Sequence, residues 1–116
     1  MTIAELVGQL CMIGFEGTEV TPDLRAWMQE FRPGGIILFS RNLVDPVQIA
    51  HLTNDLQALA GDIPLLIGID QEGGRVQRLR GDNGRALPPA RNYGGLYAFD
   101  PDRARQDVHR AAGRIR

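Results

Sequence analysis

Leu65-Leu66-Ile67-Gly68-Ile69-Asp70-Gln71-Glu72-Gly73-Gly74-Arg75-Val76-Gln77-Arg78 is an apolar run that stops on an acid and turns at once into glycines and arginines. Five residues with no polar break read as a strand buried on both faces, the kind that parallel sheets contain. In parallel α/β architectures ligands are held at the carboxyl ends of the strands. Asp70 stands at such an end, followed by a flexible turn, and is therefore a site candidate.

Upstream, the same arrangement occurs twice more. Thr2-Ile3-Ala4-Glu5 has the form of a capping box and opens a short helix. Gln9 to Phe15 reads as a strand that runs into Glu16-Gly17. Thr21-Pro22-Asp23 starts a helix: a cap residue, proline in the first turn, then an acid near the positive end of the dipole. Leu24, Trp27, Met28 and Phe31 follow at one-face spacing. Pro33-Gly34-Gly35 ends that helix, and Ile36-Ile37-Leu38-Phe39 is a second buried-type strand ending in Ser40-Arg41-Asn42. Asp45-Pro46 opens the next helix, with Ile49, Leu52, Leu56 and Leu59 as its buried stripe and Gly61 placed to end it.

Three strands alternating with helices every 25–30 residues or so are βαβ units, which imply a parallel sheet. The polar strand ends at Glu16, at Ser40 to Asn42 and at Asp70 to Glu72 then share one edge. Residues 79–99 show no periodicity and hold Gly81, Gly84, Pro88, Pro89, Gly94 and Gly95, so they read as a long loop. Asp100-Pro101-Asp102 caps a last helix with Ala104, Val108, Ala111, Ala112 and Ile115 on one face. Three strands cannot close a barrel, which needs eight. Left open, the outer strands have unpaired edges.

Composition sets the class. With 43% hydrophobic and 23% charged residues the 116-residue chain has a soluble, globular balance. A net charge of −1 gives no global field for nucleic acid or a membrane surface. The charge is nevertheless uneven: residues 1–74 carry 3 Arg against 10 acids, residues 75–116 carry 10 Arg against 4, and there is no Lys. The arginines are dispersed over a loop and a helix without aromatic interleaving, which argues against nucleic-acid binding. The single cysteine, Cys11, excludes an internal disulfide and reads as a buried, inert thiol. No apolar run is long enough to span a bilayer, and the N-terminus lacks the pattern of a signal peptide, so a cytoplasmic location is expected.

The stretch Pro33 to Asn42, the helix after Asp45-Pro46 and the stretch Ile69 to Arg78 together resemble the N-terminal domain of glycoside hydrolase family 3. The resemblance is strongest to its β-N-acetylhexosaminidase, or β-N-acetylglucosaminidase, branch. The β-glucosidase branch has a Val-His-Gly-type turn after the strand aspartate, whereas this chain has Gln71-Glu72-Gly73-Gly74-Arg75-Val76. The resemblance implies an α/β fold, the N-terminal part of a TIM (β/α)8 barrel. Residues 1–116 would form a partial domain of about the first three βα units.

It further implies removal of terminal non-reducing β-linked N-acetylglucosamine by a retaining mechanism, with peptidoglycan-fragment recycling in the cytoplasm as the setting. No metal or organic cofactor is expected. Asp70 matches the family aspartate that holds sugar hydroxyls, and Arg78 an arginine that contacts the same substrate. The family's Lys-His contacts, its loop His-Asp pair and its nucleophilic Asp have no match here. His51 and His109 fall in helices, so no catalytic residue is assigned and the isolated chain is expected to be inactive.

Plainer readings stand beside these. Asp70 could cap the glycine turn, Glu72 could pair with Arg75 or Arg41, Arg41 and Asn42 could orient loops, and Trp27, Met28 and His51 fit ordinary helix positions. At the level of function the alternatives are a non-catalytic sugar-binding module that self-associates through its open edges, a β-glucosidase-type member, and a phosphate-binding domain using Gly73-Gly74.

Overall fold

A computed structural model describes residues 1–80 and 86–113. It divides into two compact units, Met1–Ile69 and Asp70–Arg116. The first holds helix α1 (Ile3–Gln9), strand β1 (Met12–Ile13), helix α2 (Pro22–Phe31), strand β2 (Gly35–Leu38), a 3-10 turn at Ser40–Asn42, helix α3 (Pro46–Gln57) and strand β3 (Leu66–Ile69). The three strands form one parallel sheet in the order β1-β2-β3. Ile13 lies opposite Ile36, and Leu38 opposite Ile69. This is the parallel α/β alternation that the sequence predicts; no closed barrel is present among the described residues.

The helices start where their caps stand. The Thr21 hydroxyl accepts from the Leu24 N–H at 3.2 Å, and Asp45 accepts from the Gln48 N–H at 2.8 Å, each followed by proline at the first turn. Each cap satisfies an amide that the helix itself leaves without a partner. Central strand β2 is the most buried: Ile36 and Leu38 pack with Phe15, Met28, Leu52, Leu56 and Leu65 in one cluster. Full burial of a side chain of this size contributes about 1.5–3 kcal/mol.

Several boundaries differ from the sequence reading. The first strand covers only Met12–Ile13, because α1 runs through Gln9 and the Cys11 N–H still bonds to the Gly8 carbonyl. Cys11 is accordingly half-buried just before the strand, with its thiol on the Val7 carbonyl, rather than deep inside it. Helix α3 ends in a right-handed cap at Ala58, so Gly61 is not its stop signal. On α2 only Met28 is fully buried; Trp27 is 40% exposed and stacks on Phe31 with ring centroids 4.7 Å apart.

Helix α1 is locked against the end of α2. A Cβ on Gly8 would lie 2.0 Å from the Phe31 carbonyl oxygen, so only glycine permits this approach. Gln9 Nε2 donates to the Arg32 carbonyl at 2.9 Å, and Arg32 forms an ion pair with Glu5 at 3.0 Å. Glu5 in turn accepts from the Thr2 N–H at 2.7 Å, completing the capping box.

The second unit holds a two-stranded antiparallel hairpin, β4 (Gln71–Gly73) and β5 (Val76–Gln77), then helices α4 (Ala90–Phe99) and α5 (Pro101–Ala112). Reading residues 79–99 as a loop is wrong from Ala90 onward. Pro89 precedes a full helix whose glycines, Gly94 and Gly95, lower its local propensity and whose stabilising contacts come from α5. Arg105 of α5 lies over the Tyr97 ring of α4 at 5.6 Å. Along α5, Ala104 is buried and Ala111 half-buried, whereas Val108 and Ala112 are exposed; Ile115, Gly81 and Gly84 lie outside the described residues.

The Thr2 N–H, followed by the Arg32 guanidinium, holds the Glu5 carboxyl below its ordinary value of 4.5. A group lowered in the folded state stabilises the fold above its unfolded value and loses that contribution as pH falls through the folded one. The stability gap between wild type and Glu5→Gln should therefore be full at neutral pH and close below 4.5, read as urea midpoints across pH.

Candidate functional site

Each strand of the parallel sheet runs into a loop whose backbone groups have left the ladder and need other partners. At the end of β2 the partner is Asn42, whose side chain is completely buried. Its Nδ2 donates to the Phe15 carbonyl at 3.1 Å and to the Gly17 carbonyl at 2.7 Å, while its Oδ1 accepts from the Phe39 N–H at 2.9 Å. The loop after β1 is thereby tied to the turn after β2. Arg41 reinforces the tie: its Nε donates to the Phe15 carbonyl and meets Glu16, both at 3.0 Å, and its guanidinium lies 4.8 Å from the Phe39 ring centroid. Arg41 and Asn42 do orient loops, and Arg41 pairs with Glu16.

After β3 the chain enters the hairpin, and Asp70 and Arg78 come together across its base. The Arg78 N–H donates to the Asp70 carbonyl at 3.2 Å, and Arg78 Nη2 meets Asp70 Oδ2 at 3.4 Å. A closed charge-assisted bond is nearer 2.7–2.9 Å. This contact is longer than that, and about a third of each side chain faces solvent. A carboxylate is an acceptor and a guanidinium a fixed fork of donors. Between them a hydroxyl can donate to one and accept from the other, which is the chemistry of holding a sugar.

Two glutamines that the sequence reading quoted without a role frame this pair. Gln71 Nε2 donates to the Leu79 carbonyl at 3.2 Å, and its Oε1 accepts from the Leu79 N–H at 3.1 Å. Gln77, itself buried, accepts from the Leu87 N–H at 2.6 Å and donates to the Gly74 carbonyl at 3.0 Å; the Gly74 N–H donates to the Leu87 carbonyl at 2.9 Å. Arg80 lies along the outer edge of β5, with Nε on the Gln77 carbonyl at 2.8 Å and Nη2 on the Arg75 carbonyl. The Gly-Gly pair is a turn signal, but a two-residue loop there would set residue 71 opposite residue 76; the observed pairing of Gln71 with Gln77 comes from an irregularity between Gln71 and Gly73.

The plain alternatives for the glycine turn do not match the geometry. The Gly74 amide is taken by Leu87 and not by Asp70. Gly73 (φ 85°) and Gly74 (φ 63°) lead into a strand rather than a helix, and their open sides face Pro88 and Pro89, so they form no phosphate cradle. Glu72 is exposed and makes no ion pair with Arg75 among the described residues. His51 and His109 are exposed on helices. No cluster of three or more metal-ligating side chains occurs among the described residues, and no helix there is long and apolar enough to cross a membrane. A cavity of about 110 Å³ is lined by Glu5, Gln9, Met28, Arg32 and Leu65 on the amino-terminal side of the strands, and its Glu5 and Arg32 are already paired.

The glycosyl hydrolase family 3 N terminal domain matches residues 2–114 of the chain. The chain belongs to this family. It is 47% identical over 95 residues to a beta-hexosaminidase of Thiobacillus denitrificans, covering 82% of this chain and 26% of the relative. It is 43% identical to a beta-hexosaminidase of Xanthomonas campestris, covering 82% and 28%. Among solved structures it resembles a family 3 beta-N-acetylglucosaminidase from Paenibacillus, with a TM-score of 0.73, 44% identity, and coverage of 81% of this chain and 18% of that one. It also resembles NagZ from Neisseria gonorrhoeae in complex with N-trifluoroacetyl-D-glucosamine, with a TM-score of 0.68, 32% identity, and coverage of 77% and 26%. The family 3 chain spans about a quarter of the length of the curated relatives it matches.

Two substitutions test how the loops are held. Asn42→Ala leaves the Gly17 carbonyl and the Phe39 N–H without their buried partner and should lower unfolding free energy by about 2–4 kcal/mol in urea titrations. Gly73→Ala puts a methyl 2.1 Å from the Pro88 carbonyl oxygen at positive φ. It should cost about 3 kcal/mol or more and abolish protection of the Gly74 amide in hydrogen exchange.

Proposed function

We propose that residues 1–116 contribute the first βα units of a (β/α)8 glycosidase domain, and that the whole protein removes terminal non-reducing β-linked N-acetylglucosamine. The observation that carries this is the meeting of Asp70 and Arg78 at 3.4 Å, in a chain whose turn reads Gln-Glu-Gly-Gly-Arg-Val. Asp70 accepts from the sugar's hydroxyls and Arg78 donates to them. Both are gripping roles: they fix the ring so that the anomeric carbon meets the reacting groups. The relatives named beta-hexosaminidases support the amino-sugar reading over a β-glucosidase.

The reaction proceeds with retention. A carboxylate nucleophile displaces the aglycone from the anomeric carbon while an acid protonates the departing oxygen. The resulting glycosyl-enzyme ester is then opened by water. None of the 116 residues is assigned to bond breaking, and no metal or organic cofactor takes part. The setting is the cytoplasm, the substrate a peptidoglycan fragment, and both rest on the branch of the family that the turn sequence resembles.

The test replaces the matching segment of the Thiobacillus denitrificans relative with this chain and follows release of nitrophenol from a nitrophenyl N-acetyl-β-glucosaminide. Asp70→Asn should lower kcat/KM on the order of 10²–10⁴-fold, since two bonds to a charged group are weakened at about 1.5–3 kcal/mol each. An active graft whose Asp70→Asn variant stays within about threefold of its parent would overturn the assignment. The isolated chain should give no turnover.

A further inference from the structure

We infer that Gln71 is a positioning residue of the sugar subsite: its carboxamide, closed in a two-bond ring on Leu79, sets the separation of the Asp70 and Arg78 side chains. The inference rests on the reading of Asp70 and Arg78 as sugar contacts and adds the group that spaces them.

The backbone ladder of the hairpin reaches the pair Gln71–Gln77 and then stops. A backbone bond from the Arg78 N–H to the Asp70 carbonyl, at 3.2 Å, continues past it. The segment that carries both site residues would splay at this point if nothing else held it. Gln71 follows Asp70 and Leu79 follows Arg78, so a bond from residue 71 to residue 79 brackets the pair from its far side. The bracket has two members, at 3.2 and 3.1 Å, and two parallel bonds fix rotation as well as distance. The half-buried Gln71 side chain extends the ladder by one step with the same donor and acceptor that a peptide offers.

The choice of residue follows from this geometry. A glutamate's carboxylate would accept from the Leu79 N–H but oppose the Leu79 carbonyl. Asparagine falls one methylene short, and leucine fills the space without either bond. Glutamine is also neutral. A charged bracket beside Asp70 and Arg78 would compete with the 3.4 Å contact between them.

The experiment uses two substitutions, each read in two settings. In the full 116-residue chain, nitrogen-15 spectra report the Arg78 guanidinium signals and exchange of the Leu79 amide. In the graft described above, kinetics separate kcat from KM. Gln71→Leu should speed Leu79 exchange, shift the Arg78 signals and raise KM roughly tenfold with kcat within about threefold, the pattern of lost ground-state grip. Adding Asp70→Asn to Gln71→Leu should cost less than it does alone, because the two act as one unit. Gln71→Glu should be as impaired at neutral pH and approach wild type as pH falls toward its carboxyl range, where the neutral acid regains a donor for the Leu79 carbonyl.

A Gln71→Leu variant with unchanged Arg78 signals and unchanged KM overturns the inference. So does a Gln71→Leu loss confined to melting temperature, or a Gln71→Glu variant with the wild-type pH profile. If instead Asp70→Asn itself costs nothing, the sugar-subsite reading fails, while the spectra still report whether Gln71 spaces the pair.

Discussion

A side-chain carboxamide carries one carbonyl and one N–H2 group, so it can bond to a backbone as another peptide would. Much of this chain's loop structure depends on that equivalence. A parallel strand leaves its ladder abruptly, and the backbone polar groups just beyond it need other partners. Asn42 serves three such groups around the first two strand ends. Gln48 serves three more, donating to the Thr18 and Asn42 carbonyls and accepting from the Val44 N–H. Gln57 closes a two-bond ring on Leu65 just before β3, and Gln71 closes the same kind of ring on Leu79 just after it. In both rings the partner lies eight residues ahead.

This device explains why the apolar core can be small. Ile36, Leu38, Leu52 and Leu56 bury well, but β1 has two residues and β2 and β3 four each. Strands this short supply few ladder bonds, and the carboxamides add bonds at the points where the ladders end. Each is worth about 1 kcal/mol when made and more than that when one partner is removed from a buried site. The asymmetry makes such residues hard to replace without making them strong stabilisers in their own right.

Capped helices and the apolar strands were legible in the sequence because their signals are local. Thr21-Pro22, Asp45-Pro46 and Asp100-Pro101 each mark a helix start that the structure bears out within a residue, and Leu66–Ile69 falls inside the run that was read as a strand. Helix α4 was not legible, because Gly94 and Gly95 interrupt its pattern and its stability comes from α5, which no window of its own sequence contains. The hairpin failed for a related reason. Its strands are two and three residues long, shorter than any alternation that could reveal them. Asp70 and Arg78 were nameable from the motif, yet their separation was not, since it depends on which residue of β4 faces which residue of β5. Gln71 and Gln77 have meaning only in that register, and a glutamine with no register looks like any polar surface residue.

The division of labour between neutral and charged groups follows from the same physics. Along α5 the ion pair Arg105–Asp102 is well exposed to screening solvent, and Arg110–Asp107 is less so. Beside Asp70 the clamp on Leu79 is the neutral Gln71 carboxamide, and Arg80 is spent on the carbonyls of Arg75 and Gln77. A charge placed as a clamp beside the pair would compete for one of its members. A neutral clamp holds the backbone without entering that competition.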